Sequence, residues 1–193
     1  MVVGQLFNFF YMILKEILRK RNFDKTSDRI GPDIPFTHWR LFFKSSMLSL
    51  CKKKFKHFSD SSEFRPGAYA ISCSKISIGS RVVIRPHTML FADTRVDGKG
   101  ITIEDDVLIG SGVHIYTGNH AFDNSELPII DQGHTDSKEV VIKKGSWIGA
   151  NATILPGVTI GENTVIGAGS VVTKSIPSKV VAAGNPAKII KSL

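Results

Sequence analysis

Three histidines set the first chemical question. His114 and His120 stand six residues apart, with His87 earlier in the chain. An imidazole changes protonation near neutral pH, so it can take the proton of a hydroxyl as that hydroxyl attacks a carbonyl. It is also a common metal ligand, and zinc catalysis needs three such ligands and one open position. His120 sits where the local pattern breaks, near the head of a polar stretch over residues 118–139 rich in Asn, Asp, Gly and Pro. A loop that long inside a compact domain is usually functional or disordered. Asp123, Glu126 and Glu139 are the carboxylates near it in sequence, and the residues leave open which of them, if any, orients the ring. His38, His57 and His134 carry no motif and read as solvated or packing residues. Cys51 and Cys73 are too few for a disulfide framework and form no CxxC, which suits reduced thiols in a cytosolic protein.

The pattern that breaks at His120 is a period of six. Ile78, Ile84 and Leu90 are six apart; so are Ile103, Ile109 and Ile115, and again the run from Ile142 through Ile148, Ile154, Ile160 and Ile166 to Val172. Four residues after each lies a small or β-branched residue, from Val82 and Thr88 to Ile176, with Asn119 as the exception. A period of six without Gly-X-Y triplets is neither collagen nor a leucine-rich array. It describes a triangular coil in which each hexapeptide supplies one short strand and one tight corner. The aliphatic side chain points inward onto its equivalent 18 positions away, and the Gly that often follows relieves strain at the bend. Stacked rungs of three hexapeptides then bury a continuous apolar column. The period is interrupted between Leu90 and Ile103, where Asp97-Gly98-Lys99-Gly100 reads as a turn, and over residues 118–139.

Of the 193 residues, 42% are apolar and 22% charged, enough for one domain with a buried core. No apolar run is long enough to span a bilayer. The net charge of +8 is local: residues 1–57 hold 12 Lys/Arg against 4 Asp/Glu, and the rest holds 13 of each. Eight of the 12 Phe share that first segment. Leu6, Phe7, Phe10, Ile13, Leu14, Ile17 and Leu18 follow helical spacing, and Lys15, Arg19, Lys20 and Arg21 close the stretch. The order of charge and apolar residues is wrong for a secretory signal. Such a helix either packs on the body or a sister subunit, or lies in a membrane interface. Gly31-Pro32-Asp33-Ile34-Pro35 reads as a turn. A second helix is expected to carry Trp39, Phe42, Phe43, Met47, Leu50 and Cys51 as its apolar positions, ending in Lys52-Lys53-Lys54.

The residues support a family resemblance. The stretches Ile115-Tyr116-Thr117-Gly118-Asn119-His120, Trp147 to Val158, Val171-Val172-Thr173-Lys174 and Gly184-Asn185-Pro186-Ala187-Lys188 resemble the hexapeptide-repeat acyltransferases. The likeness is strongest to the galactoside and maltose O-acetyltransferases and to enzymes of surface-polysaccharide assembly. It covers roughly residues 64–193. It implies an all-β fold, a left-handed parallel β-helix, here with an N-terminal helical extension and a short C-terminal helix. The domains are then residues 1–60, a basic aromatic helical segment, and residues 61–193, the catalytic helix with its excursion loop 118–139. It further implies a bacterial homotrimer with sites between subunits, acetyl-CoA as co-substrate, and His120 as the catalytic base.

The resemblance also carries site residues. Trp147 would flank the pantetheine, Ala150 would offer only a backbone N–H to the oxyanion, and Ala168, Thr173 and Lys174 would line the acetyl-CoA groove. Lys188 and Lys191 would sit near its phosphates, without the fork of an Arg. Arg85, Asp93 and Asn119 would meet the acceptor. No metal is expected: the trimeric γ-class carbonic anhydrases bind zinc through three His, in spacings that His87, His114 and His120 do not match. The implied activity is O-acetylation of a sugar or glycan hydroxyl in O-antigen or capsule assembly. The alternatives are a xenobiotic acetyltransferase, suggested by Asn119-His120 followed by Phe122-Asp123, a nucleotide-sugar N-acetyltransferase, and a scaffold with a decayed site. With a neutral body, the basic arm suits no nucleic acid. It suits a cytoplasmic enzyme, with residues 1–57 as a subunit cap or a peripheral contact at the inner face of the membrane.

Overall fold

The computed structural model describes residues 8–15 and 27–193. From His57 onward the chain winds as a parallel β-helix with three faces. The first face stacks the strands Tyr69–Ile71, Met89–Phe91, His114–Tyr116, Thr153–Ile154 and Val171–Val172. The second stacks His57–Phe58, Ile76–Ile78, Ile101–Ile103, Val140–Ile142 and Thr159–Ile160. The third runs from Glu63–Phe64 through Leu108–Ile109 and Trp147–Ile148 to Val180–Gly184. Pairing is parallel throughout the coils, and each inward residue stacks on the next: Leu90 on Ile115 on Ile154 on Val172, and Ile84 on Ile109 on Ile148 on Ile166. These side chains are essentially sealed from solvent. A parallel sheet buried on its inner face and hydrogen-bonded rung to rung keeps every strand's backbone partnered except at the two ends.

The repeat begins one rung earlier than its aliphatic signature. Phe58, Phe64 and Ala70 are themselves six apart, pair with Ile78, Ile84 and Leu90, and form the first rung. Phe occupies two inward positions there because that rung must also meet the cap. The helix Lys44–Lys54 seats Met47, Leu50 and Cys51 on it, and Phe55 stacks on Phe58 at 5.7 Å and tilts against Phe64 at 5.4 Å. A coil's terminal rung would otherwise present its apolar column to water. The expected second helix is shorter than its apolar spacing suggested. Phe43 is extended and breaks it, so Trp39, Phe42 and Phe43 lie outside the capping face and are exposed. Of the first predicted helix, residues 8–15 are helical; Leu6, Phe7, Ile17, Leu18, Arg19, Lys20 and Arg21 lie outside the described residues.

Two expectations are corrected. The C-terminal segment is not a helix: Ala187–Ser192 is a strand that turns back at Gly184 and pairs antiparallel with Val180–Gly184. The last coil offers an open row of backbone groups, and a strand satisfies them where a helix cannot. The glycines after inward Ile residues do not relieve backbone strain either. Left-handed φ falls elsewhere, in corner columns such as Gly67, His87, Gly112, Asn151 and Gly169. Gly149 is required by proximity: a methyl there would lie 2.5 Å from the Ala168 nitrogen and 2.8 Å from the Ile166 carbonyl oxygen. The thiols are inert packing groups. Burial pushes Cys73 up to about 12 and raises Cys51 as well, so both are protonated at neutral pH.

Candidate active site

Consecutive rungs are offset by 20, 25, 39 and 18 residues, from Ala70 to Leu90, Ile115, Ile154 and Val172. Every excess over 18 is inserted at one corner, where the chain passes from the first face to the second. There the inward place that Val158 fills on the uninterrupted rung is taken by Ile76, Ile101 and Val140, which follow the insertions. That is why Thr94 as well as Asn119 leaves the core. The three insertions lie over one another and enclose a hollow of about 310 Å³, whose lining includes Phe91, Asp93, Tyr116, Asn119, His120 and His134.

The hollow is held by short polar links. Thr117 donates its hydroxyl to the Lys99 carbonyl at 2.9 Å, and that hydroxyl accepts from the Asp93 N–H at 2.9 Å. Lys75 donates to the Asp93 carbonyl at 2.9 Å. Arg95 grips the Asp93 carboxylate through Nε at 3.0 Å and Nη2 at 2.5 Å, and donates to the Thr135 carbonyl at 2.7 Å. These hydrogen bonds hold the Asp93 carboxyl down at about 2, and they tie residues 93–95 to the excursion loop. A carboxyl so lowered contributes stability at and above its ordinary range near 4 and loses it as pH falls through about 2. Arg95→Ala is therefore expected to return the Asp93 titration toward about 4 in carboxyl NMR and to speed protease cleavage within residues 117–139. An unmoved titration would contradict the assigned partner.

The excursion loop is laced rather than open. Ala121 donates to Gly133 at 3.0 Å, Thr135 to Asn119 at 3.0 Å and Lys138 to Thr117 at 2.8 Å. This antiparallel lacing sets His120 opposite His134, their rings stacked with centroids 4.5 Å apart. Both imidazoles face solvent at the hollow. Among the described residues none of the three nearby carboxylates orients His120: Glu139 accepts from Thr102 at 3.0 Å, Glu126 accepts from Ser125, and Asp123 does not hydrogen-bond the ring. His134, which carried no motif, is its neighbour. Below the hollow Phe91 stacks flat on Tyr116 at 5.0 Å, and the Tyr116 hydroxyl meets His114 Nδ1 at 2.9 Å. His114 is thus engaged on the first face, and His87 serves a corner. Among the described residues no group of three or more His, Cys, Asp or Glu is placed to hold a metal ion.

The residues expected to bind acetyl-CoA lie elsewhere. The corner from the third face to the first carries Ala150, and Ala168 lies directly below it, one rung on. Trp147, Ala150, Ser111 and Arg85 line a second hollow of about 380 Å³. Arg85 is therefore grouped with Trp147 and not with Asp93, Asn119 and His120. Trp147 is half exposed, and the Ala150 N–H makes no hydrogen bond to a described residue. Thr173 and Lys174 follow the last strand of the first face, and Lys188 and Lys191 project from the C-terminal strand. All four are exposed. Sequence reasoning missed Ser111, although Ile109-Gly110-Ser111 repeats Ile148-Gly149-Ala150 in register. It had no signal for Arg95 or His134, whose roles come from loop contacts.

Known proteins agree with this architecture. The bacterial transferase hexapeptide family (six repeats) matches residues 139–174. A galactoside O-acetyltransferase of Escherichia coli is 37% identical over 75% of this chain and 68% of its own length. A putative lipopolysaccharide biosynthesis O-acetyl transferase of the same organism is 46% identical over 48% of this chain and 50% of its own length. The crystal structure of a hexapeptide-repeat containing acetyltransferase from Vibrio cholerae, complexed with acetyl coenzyme A, superposes with a TM-score of 0.67 at 28% identity, covering 93% of this chain and 97% of that one. With the coil, the corner insertions and a relative 37% identical over 68% of its own length, the chain belongs to the hexapeptide-repeat acyltransferases.

Proposed function

We propose that the protein transfers the acetyl group of acetyl-CoA to a sugar hydroxyl, with His120 as general base. The observation that carries this reading is the exposed imidazole at the insertion corner, beside a hollow whose one charged pair, Asp93–Arg95, is closed on itself. A hydroxyl bound there would give its proton to His120 as its oxygen attacks the thioester carbonyl carbon. The tetrahedral intermediate then expels CoA as a thiolate, which takes the proton back from the imidazolium. The second hollow suits the donor. Trp147 offers an apolar plane for pantetheine, the Ala150 N–H an unused donor, and Lys174, Lys188 and Lys191 exposed cations for phosphates. Relatives named for galactoside and lipopolysaccharide acetylation support a glycan acceptor, and we place the enzyme in surface-polysaccharide assembly. The test is thiol release from acetyl-CoA in the presence of galactosides, maltose and nucleotide- or lipid-linked sugars. Release with none of them removes the reading.

The two hollows flank the first face on different corners, so one chain holds two half-sites. A homotrimer would join them. The outward residues of the third face, Val83, Leu108, Trp147 and Val165, form an apolar stripe, with Leu108 49% and Trp147 53% exposed, whereas the second face shows Ser77, Thr102, Val141 and Thr159. An apolar stripe of this kind marks an interface. A neighbour's insertion corner seated against it would bring a His120 to Ala150. Sedimentation should give three times the 21.2 kDa chain.

The N-terminal segment fits a peripheral contact with an anionic membrane. Residues 8–15 are helical, and Phe9, Phe10, Tyr11, Met12, Ile13 and Leu14 are all exposed, as are Trp39, Phe42 and Phe43 beside Arg40 and Lys44. Among the described residues no helix is long and apolar enough to cross a membrane. Aromatic rings and cations together favour the headgroup region, and three copies multiply a weak attraction. Substituting Phe9, Phe10, Ile13, Leu14, Trp39, Phe42 and Phe43 together by serine is expected to abolish co-sedimentation with phosphatidylserine vesicles at unchanged acetyl transfer to a soluble acceptor. Equal sedimentation would remove the membrane contact.

A further inference from the structure

We infer that the Ser111 hydroxyl is a catalytic oxyanion donor, filling the place that Ala150 leaves without a side-chain donor. The inference rests on the proposed attack of an acceptor oxygen on acetyl-CoA beside Ala150. Ile84 pairs with Ile109, Ile109 with Ile148, and Ile148 with Ile166. Two residues further on, the same register stacks Pro86, Ser111, Ala150 and Ala168 as one column at the corner. Within that column only Ser111 carries a hydroxyl. The stack is tight. Asn151 donates to the Ser111 carbonyl at 2.9 Å, Gly169 to the Ala150 carbonyl at 2.8 Å, and a methyl on Gly110 would lie 2.6 Å from the Ala150 nitrogen. Ser111 is therefore one rung from the Ala150 N–H, a strand spacing of about 4.8 Å, and both line the hollow that holds Trp147.

Four other corner hydroxyls are spent on structure. Ser146 donates to Gly161 at 2.7 Å, Thr164 to Pro177 at 2.8 Å, Ser170 to Gly167 at 2.7 Å and Thr88 to Gly110 at 2.8 Å, and all four are buried. Ser111 is half-buried, and its hydroxyl makes no hydrogen bond to a described residue. A small polar group that the fold does not use, set next to an unused amide in a hollow, forms a two-donor site for one oxygen. In the reaction the acceptor oxygen bonds to the carbonyl carbon and the carbonyl π pair moves to its oxygen. That oxyanion takes hydrogen bonds from Ser111 O–H and Ala150 N–H. Its collapse re-forms the carbonyl and breaks the C–S bond, and the CoA thiolate receives the proton held on His120.

The test uses the full-length chain, acetyl-CoA and an acceptor that the wild type accepts. Ser111→Ala is expected to lower kcat about 10²- to 10³-fold with the KM for acetyl-CoA unchanged. Ser111→Thr, which keeps the hydroxyl, should retain most of the rate. Adding Ala150→Ser to Ser111→Ala should recover at least about tenfold, because the hydroxyl returns one rung away. Wild-type kcat in Ser111→Ala, a higher acceptor KM at constant kcat, or no recovery in the double variant would overturn the assignment. An inactive His120→Ala beside a fully active Ser111→Ala removes this inference alone; a fully active His120→Ala removes the mechanism beneath it.

Discussion

Replacing His120 by alanine is expected to lower kcat for acetyl transfer about 10²- to 10⁴-fold while leaving the KM for acetyl-CoA nearly unchanged. The size follows from the chemistry. A sugar hydroxyl is a poor nucleophile until its proton leaves, and the hollow holds no free carboxylate to take over, because Asp93 is gripped by Arg95 and held at about 2. The unchanged KM follows from the geometry, since the residues proposed for acetyl-CoA lie on another corner. The fold should not suffer. His120 is exposed, and its ring stacks on His134. Steady-state kinetics with both substrates varied checks this, with thermal melting as the control for folding. A variant that keeps the wild-type rate on every accepted sugar would remove His120 from the mechanism.

The second large effect is on stability. Ile115→Ala is expected to cost about 2–5 kcal/mol, and Ile115→Val about 0.5–1.5 kcal/mol. Ile115 is fully buried between Leu90 and Ile154 in the inward ladder of the first face. Backbone hydrogen bonds hold neighbouring strands about 4.8 Å apart, so the rungs above and below cannot close over the missing methyl groups. The cavity therefore stays open, which is the expensive case. Chemical unfolding at fixed protein concentration measures the loss, since association adds to apparent stability. A change under about 1 kcal/mol would mean that the column relaxes more freely than its hydrogen bonds imply. The alanine variant should also lose activity at temperatures where it remains folded. Ile115 anchors the strand that leads into Thr117, whose hydroxyl links Asp93 to Lys99.

Much of this was legible because a coil repeats one local solution. Each inward Ile and its small or β-branched companion answer to the same geometry, so spacing alone placed twelve ladder residues, from Ile78 to Val172, and every one is buried in the structure. The same logic failed where the occupant changed type. Phe58 and Phe64 hold inward positions that the aliphatic period does not mark, because they serve the ladder and the cap together. It failed at Phe43 too, where helical spacing continues but the backbone turns extended. The C-terminal hairpin was misread because its strand is specified by an open sheet edge, a feature of the neighbours and not of residues 187–192.

The site divides in the same way. A period of six and its lapse at Asn119-His120 are properties of the sequence, and with the motif stretches that carry the family resemblance they were enough to draw attention to His120 and to the coil that carries it. Which insertions share a corner is not local information. It depends on how many residues each rung adds, and only the stacked coils bring Asp93, Arg95, Tyr116 and His134 around one hollow. The column that sets Ser111 on Ala150 comes from a contact between rungs 39 residues apart, and the pairings of Asp93 with Arg95 and of His120 with His134 come from how each insertion folds back on itself, which no period records. Periodicity names the residues that must be inside. Register between coils decides which outward residues meet, and for this protein that is where the chemistry lies.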